Sequence, residues 1–334
     1  MSTVYGPVSS WRLGRSLGID VVLPPKKCTF NCVYCQLGKT SVHVSNPEVL
    51  QGKLVDAETV RRDLDDVLKR LDISTVDVVT FSGSGEPTLN LELGKIAGMV
   101  KERIGAVPLA VLTNSSLFYK EKVRENLASF DIVVAKLDAG DNTTFHAINR
   151  PVDAALNIKT VISSIEKVKH TVKSPLALEV MLLRSADDRI TNVEGKPLQA
   201  LLDAIINVNP DQVQLGVPYR PPSESFVEIP SQEEVELVFE GLAKHFEKSK
   251  LRVYGSYDEH GKGVRWLFHK SLEREAIELL ERRPCSVVDV SKSLGISLLT
   301  ATSLLKRLVS ENLVTVEVRK GKKYYLKRED LRSS

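Results

Sequence analysis

The sequence predicts an α/β protein: a partial (β/α)6 barrel of the TIM type over 1–260, then a small C-terminal module over 270–334. Three observations predict it. Short apolar runs alternate with amphipathic stretches through residues 1–255. The runs are apolar on both faces, as in buried parallel strands rather than a half-solvated antiparallel sheet. After Gly261-Lys262-Gly263 the pattern changes to closely spaced helices and a hairpin.

Strands are expected at 19–23, 76–81, 109–112, 132–137, 176–183, 213–217 and 251–254, each leucine-rich or β-branched. Helices are expected between them at 57–70, 91–103, 120–129, 155–170, 196–208 and 232–246. Asn209-Pro210 stops the fifth helix. Ser231 starts the sixth as an N-cap, with Glu233 and Glu234 in the first turn, where the helix dipole favours negative charge. Such alternation implies right-handed βαβ units. About six of them make a partial barrel rather than a closed eightfold one; a doubly wound open sheet fits the same alternation. In a barrel the working residues sit at the C-terminal ends of strands and in the loops that follow, and the candidates below fall there.

Cys28, Cys32 and Cys35 stand as C-x3-C-x2-C, with Tyr34 before the last. The fourth cysteine, Cys285, is remote and beside Pro284, and reads as a small buried filler. Three clustered thiols cannot all pair as disulfides. Three thiolates on a [4Fe–4S] cubane leave one iron open to an outside ligand. Zinc is the alternative, but structural zinc takes four ligands, and the nearest fourth, His43, has no ligand partner beside it. After the strand at 76–81 comes Ser82-Gly83-Ser84-Gly85-Glu86-Pro87. Its glycines let backbone approach a ligand, Glu86 places a carboxylate at a strand tip, and Pro87 stiffens the turn. An ordinary glycine-rich βα turn has the same composition.

The cysteine spacing and Gly85-Glu86-Pro87, in this element order, resemble the radical S-adenosylmethionine (SAM) enzymes. The resemblance implies a [4Fe–4S] cluster held by Cys28, Cys32 and Cys35, with the SAM amino and carboxylate groups on the open iron. It implies that reduction cleaves SAM to methionine and a 5′-deoxyadenosyl radical, which takes hydrogen from a substrate. Gly85, Glu86 and Pro87 would meet the SAM amino group. Tyr34 would pack by the adenine or simply within its loop. Asn114, Lys136 and Asp138 would lie near SAM at strand ends, and 214–218 near the adenine. Glu179 and Met181 read as core or outer-face packing. An electron donor such as ferredoxin or flavodoxin is implied as a partner.

Tyr5-Gly6-Pro7-Val8, Arg12 to Gly18, Lys136-Leu137-Asp138-Ala139, Asn149-Arg150-Pro151 and Arg220-Pro221-Pro222 resemble a narrower group related to the wyosine-forming tRNA enzymes. Trp11 stands where that group usually has a basic residue. The extra cysteines of its second cluster are missing, so its pyruvate chemistry is not implied. Lys136 is expected as a salt-bridged strand-end lysine at SAM rather than a Schiff base.

In the C-terminal module, helices are expected at 271–283, 287–294 and 298–311, with Leu304, Leu305 and Leu308 inward, and hairpin strands at 314–318 and 324–326. Three helices and a hairpin resemble a winged helix-turn-helix, a nucleic-acid-docking unit. Residues 314–328 carry six basic residues against Glu317, among them Arg319, Lys320, Lys322 and Lys323. That is a footprint for phosphates, and RNA or tRNA is the substrate expected from it. Winged helices also bind proteins and leader peptides, so a peptide or protein substrate stays open. So does a regulator that binds DNA through the module and senses iron or redox state through the cluster.

A net charge of +3 announces no polyanion partner for the whole chain. No apolar run reaches the ~18–20 residues of a membrane-crossing helix, and residues 1–15 lack the apolar core of a secretory signal. Together with unpaired thiols this predicts a reducing, cytoplasmic setting.

Overall fold

A computed structural model of the chain describes residues 1–187, 189–253, 272–294, 296, 298–319 and 321–328. Tyr254, the break at 261–263, Ser271, Gly295, Ser297 and Lys320 lie outside them. Eight strands form one sheet in strict chain order: β1 (Val4–Ser10), β2 (Gly14–Ile19), β3 (Val78–Phe81), β4 (Leu109–Thr113), β5 (Ile132–Lys136), β6 (Leu176–Met181), β7 (Gln212–Gly216) and β8 (Leu251–Val253). β1 pairs antiparallel with β2, and every later pairing is parallel. A doubly wound sheet reverses its strand order at a switch point. This one never does, so right-handed crossovers put all the helices on one face and leave the other as a lumen. β1 and β8 are the two open edges.

The covering helices are α1 (Ala57–Leu68), α2 (Leu93–Ile104), α3 (Glu121–Leu127), α4 (Asn142–Ile148), α5 (Ile158–Thr171), α6 (Gly195–Val208) and α7 (Gln232–Ala243). Their starts follow local chemistry. Asp56 accepts from Thr59 N at 2.8 Å, Asn157 from Thr160 N at 2.9 Å, and Ser231 forms a full capping box with Glu234. Asn157 therefore delays α5 to Ile158, past the expected 155. Asn209, with φ 46°, ends α6 where Pro210 requires an end.

Three expectations change. The first barrel strand is Gly14–Ile19, not 19–23. Asp20 Oδ1 accepts from Val22 N and Leu23 N, both at 2.9 Å, and turns the chain out of the sheet. Gly18 is needed within β2 because the Tyr5 ring lies on it, where a Cβ would stand 2.2 Å from Cζ. Strand β1 was not expected: it carries Gly6 and Pro7, which an edge with a register shift between Tyr5 and Val8 tolerates. Helix α4 is too short to show an apolar period, and it buries only Thr144, Phe145 and Ile148.

One apolar cluster runs from Val4 to Leu251. A second joins α8 (Leu272–Arg282), α9 (Val287–Leu294), α10 (Leu298–Ser310), β9 (Val314–Arg319) and β10 (Lys322–Lys327). Leu304, Leu305 and Leu308 are buried in it, as is Cys285, whose N–H and C=O pair with Tyr325 at 2.9 and 2.8 Å. Val8 of β1 belongs to this second cluster, so these helices lie along the open edge of the sheet.

Candidate functional site

The cysteine loop sits beyond the C-terminal end of β2 and is laced down on two sides. On one side, Lys27 N donates to Ser84 O at 3.2 Å and Glu86 N donates to Lys27 O at 3.0 Å, joining the two sequence motifs edge to edge. On the other, Asn31 N reaches Asn149 O at 3.1 Å, Val33 N reaches Ile148 O at 2.9 Å, and Val152 N reaches Thr29 O at 2.9 Å. The short helix α4 thus earns its place by presenting residues 148–152 to the loop. Cys32 is buried, and Cys28 and Cys35 are half-buried.

Each sulfur has its own N–H donor, drawn from a different part of the chain. Lys26 Nζ donates to Cys35 Sγ at 3.2 Å, Asn114 Nδ2 to Cys28 Sγ at 3.5 Å, and Asn149 Nδ2 to Cys32 Sγ at 3.7 Å. Burial, then Glu86 and Cys32, push the Cys28 thiol up to about 12. Burial, then Cys35 and Asp138, push Cys32 up to about 11. Such thiols give up their protons to bound metal rather than to water. Burial lowers the Lys26 ammonium, but the cysteines beside it outweigh burial and hold its pKa above the ordinary value. His43 is exposed, and Cys285 is enclosed in the second cluster. Among the described residues no three His, Cys, Asp or Glu converge on one point as a single ion requires; a cubane instead sets its cysteines on separate irons. The donor set fits a three-thiolate cluster.

The radical SAM superfamily profile matches residues 22–190, about half the chain and the whole stretch that carries both motifs. The chain belongs to the radical SAM superfamily. It is an enzyme of that class, whose cofactors are a [4Fe–4S] cluster and SAM. It is 28% identical to a UPF0026 protein of Methanocaldococcus jannaschii over 98% of this chain and 96% of that one. It is 36% identical to a UPF0026 protein of Synechocystis over 65% of this chain and 76% of the relative. In fold it is similar to Streptococcus suis SuiB bound to its precursor peptide SuiA, with TM-score 0.50 and 14% identity over 71% of this chain and 48% of that one.

In this radical SAM chain Glu86 lies 2% exposed and accepts four hydrogen bonds. They come from Thr88 N (3.0 Å), Thr88 Oγ1 (2.7 Å), Thr113 Oγ1 (2.6 Å) and Asn114 N (2.7 Å). Burial raises its pKa against those bonds. The carboxylate ties the Gly85-Glu86-Pro87 turn to the end of β4 and so aims Asn114 at Cys28.

A second network crosses the lumen. Tyr34 Oη donates to Asp138 Oδ2 at 2.6 Å, Asn149 Nδ2 donates to the same oxygen at 2.7 Å, and Met181 N donates to Oδ1 at 2.8 Å. Lys136 Nζ stands 3.5 Å from Asp138, 3.3 Å from Glu179 and 5.0 Å from the Tyr34 ring centre. Arg12, from the β1–β2 turn, also pairs with Glu179. Glu179 and Met181, expected as packing, instead line a cavity of about 270 Å³ together with Tyr34, Cys35 and Lys136. Gly216, Val217 and Pro218 line it as well, whereas the Gln214 amide donates to Gln212 Oε1 at 2.7 Å. Asp138 is buried behind its wall.

Gly85, Glu86, Pro87 and Asn114 pack beneath the cysteine loop and away from the cavity lining. Gly83 does line the cavity, and a Cβ there would stand 2.4 Å from the Asp20 carboxyl carbon. Arg319 donates to Val227 O at 2.8 Å, Lys322 lies 5.8 Å from the Tyr324 ring centre, and Lys323 is exposed. Asp20, Arg282 and Arg283 were not singled out from sequence, and Arg12 and Arg220 were named there only within the wyosine-like motifs and given no role at the site. Nothing local shows that the five belong together, because they meet only when the barrel and the C-terminal helices come together.

Proposed function

We propose that Cys28, Cys32 and Cys35 hold the cluster, that SAM takes its open iron, and that the enzyme modifies RNA by hydrogen abstraction. The observation that carries the reading is the triple of thiols with one N–H donor each and no fourth thiol beside them. When bound, cluster and SAM supply one-electron cleavage and hydrogen-atom abstraction. The protein's own residues bind, orient and exclude water. Lys26 offsets thiolate charge at Cys35. Asn114 and Asn149 hydrogen-bond the other two sulfurs, an arrangement that tunes cluster potential. Glu86 holds the Gly85-Glu86-Pro87 turn against the cysteine loop, where its backbone would meet the amino group of SAM bound at the cluster. Asp138, fixed by Tyr34 and Asn149, sets Lys136 at the cavity wall. The β1–β2 hairpin covers the lumen on its open side.

RNA is favoured by two things: the motif likeness to the wyosine-related group, and the reading of α8 to β10 as a winged helix with Lys322 and Lys323 at its wing. A reducing compartment and an electron donor of the ferredoxin or flavodoxin kind complete the proposal. The test is anaerobic reconstitution, chemical reduction, measurement of 5′-deoxyadenosine, and crosslinking in native lysate with both RNA and peptides identified. Deoxyadenosine formation with crosslinked RNA supports the reading. Crosslinked peptide without RNA replaces the substrate, and absence of SAM cleavage removes the enzyme assignment for these residues.

A further inference from the structure

We propose that the C-terminal module completes the reaction chamber, and that Arg283, beside Arg220, binds an oxyanion of the substrate, a phosphate or a carboxylate. The inference rests on the radical SAM reading only in taking the cavity at Cys35 as the place of reaction.

The first argument is charge. The cavity wall carries Arg12, Lys136, Arg220, Arg282 and Arg283 against Glu179. Behind the wall, Asp138 lies 3.5 Å from Lys136, Asp289 lies 3.7 Å from Arg220, and Asp20 pairs with Arg282. Among the described residues five cations thus face four carboxylates, and the excess is one positive charge. The three thiolates would be offset by the iron they hold, with Lys26, which stands at Cys35 and is not part of the wall, adding a further positive charge.

The second argument is where that excess falls. Arg12 is spent on Glu179. Arg282 is held by Asp20, by Ser2 O at 2.7 Å and by Ser84 Oγ at 3.4 Å, with Tyr5 stacked 4.9 Å away. Arg220 is fixed by Gln36 Oε1 at 3.0 Å and by the Tyr219 ring at 4.7 Å. Arg283 differs in degree: Arg12, Arg220 and Arg282 each leave only Nε without a hydrogen-bond acceptor, whereas Arg283 leaves both Nε and Nη2, the two nitrogens of one edge of its fork, buried and without one among the described residues. A buried N–H without an acceptor is costly, and a guanidinium fork fits an oxyanion two bonds at a time.

The third argument is construction. Arg282 and Arg283 reach the lumen because α8 ends there at Pro284. The module is pinned on both sides of the opening. Val8 of β1 enters its core, and Tyr324 Oη donates to Tyr219 O at 2.6 Å, next to Arg220. Two arginines distant in sequence are so brought to one wall, with Arg220 bonded to Gln36 beside the cysteine loop.

The test uses the anaerobically reconstituted holoenzyme, with its cluster checked by visible absorbance. Inorganic phosphate and malonate are titrated calorimetrically at fixed ionic strength against wild type, Arg283→Gln, Arg283→Lys and the exposed-site control Lys306→Gln. Saturable binding of either anion that weakens at least tenfold in Arg283→Gln, weakens less in Arg283→Lys, which keeps the charge but not the fork, and stays within threefold in Lys306→Gln, supports the proposal; the preferred anion names the substrate group. Should Arg283→Gln not fold, phenylglyoxal modification of wild type, mapped by mass spectrometry, must be slowed at Arg283 by the same anions. No saturable binding above the salt control, equal binding in Arg283→Gln, or unprotected Arg283 overturns it. Loss of cluster or of SAM cleavage with anion binding intact would instead count against the functional reading alone.

Discussion

Gly85 lies so close to Lys27 that a Cβ on it would stand 1.8 Å from the Lys27 carbonyl oxygen, with φ at +154°. The contact is backbone on backbone, so no side-chain movement relieves it. Gly85→Ala must push the Gly85-Glu86-Pro87 turn away from the cysteine loop. A strained φ alone costs about 1–3 kcal/mol, and the clash adds to it. We expect a lowered Tm and at least a tenfold loss of SAM cleavage, read by calorimetry and by 5′-deoxyadenosine formation. Gly38→Ala is the comparison: Gly38 is also in a positive-φ conformation, but an added Cβ there meets nothing within 4 Å.

Glu86→Gln separates charge from shape. The wild-type carboxylate accepts four bonds, and a carboxamide has one accepting oxygen and an NH2 facing donors. Hydrogen bonds to charged groups are worth about 1.5–3 kcal/mol each, so a loss of about 2–4 kcal/mol in urea unfolding is expected. The end of β4 then loosens and Asn114 drifts from Cys28, which a shifted cluster reduction potential would report.

Arg282 and Asp20 are both almost wholly buried, their side chains 3% and 1% exposed. Removing one partner strands the other charge, at about 3–5 kcal/mol. Arg282→Met and Asp20→Asn should each approach that cost, and the double variant should cost less than their sum. A strictly additive double-mutant cycle would show that the two side chains do not act as a pair.

Glu179 gives an acid limb. Burial would raise its pKa, but Arg12 and Lys136 together outweigh burial and hold it below the usual carboxylate value. Its stabilising contribution is therefore full above the ordinary glutamate pKa of about 4.3 and is lost as pH falls through the lower folded value. Urea midpoints measured downward from about pH 6 should fall less steeply in Glu179→Gln than in wild type.

The parts of the fold legible in sequence are those encoded locally. Strands β3 to β7 are buried on both faces, so each reads as one apolar run, and Ser231 and Asn209 mark helix ends within their own neighbours. Cys28, Cys32, Cys35 and Gly85-Glu86-Pro87 are short motifs, and the structure brings them edge to edge through Lys27. The rest was hidden for physical reasons. β1 is an edge strand carrying Gly6 and Pro7. β2 carries Gly18, which a covering Tyr5 requires. Glu179 sits in an apolar strand, and only its partners Arg12, 167 positions away, and Lys136, on the neighbouring strand, reveal that it faces the lumen. The cationic wall is assembled from β1–β2, the loop after β7 and the end of α8, which no local pattern links.

The most direct measurement is iron content together with 5′-deoxyadenosine formation by the anaerobically reconstituted chain and by its Cys28→Ala, Cys32→Ala, Cys35→Ala and Cys285→Ala variants. The account predicts about four irons per wild-type chain, SAM cleavage on reduction, loss of both in each of the first three variants, and retention in Cys285→Ala. A zinc ion bound by four protein ligands, or SAM cleavage that survives replacement of all three clustered cysteines, would contradict it.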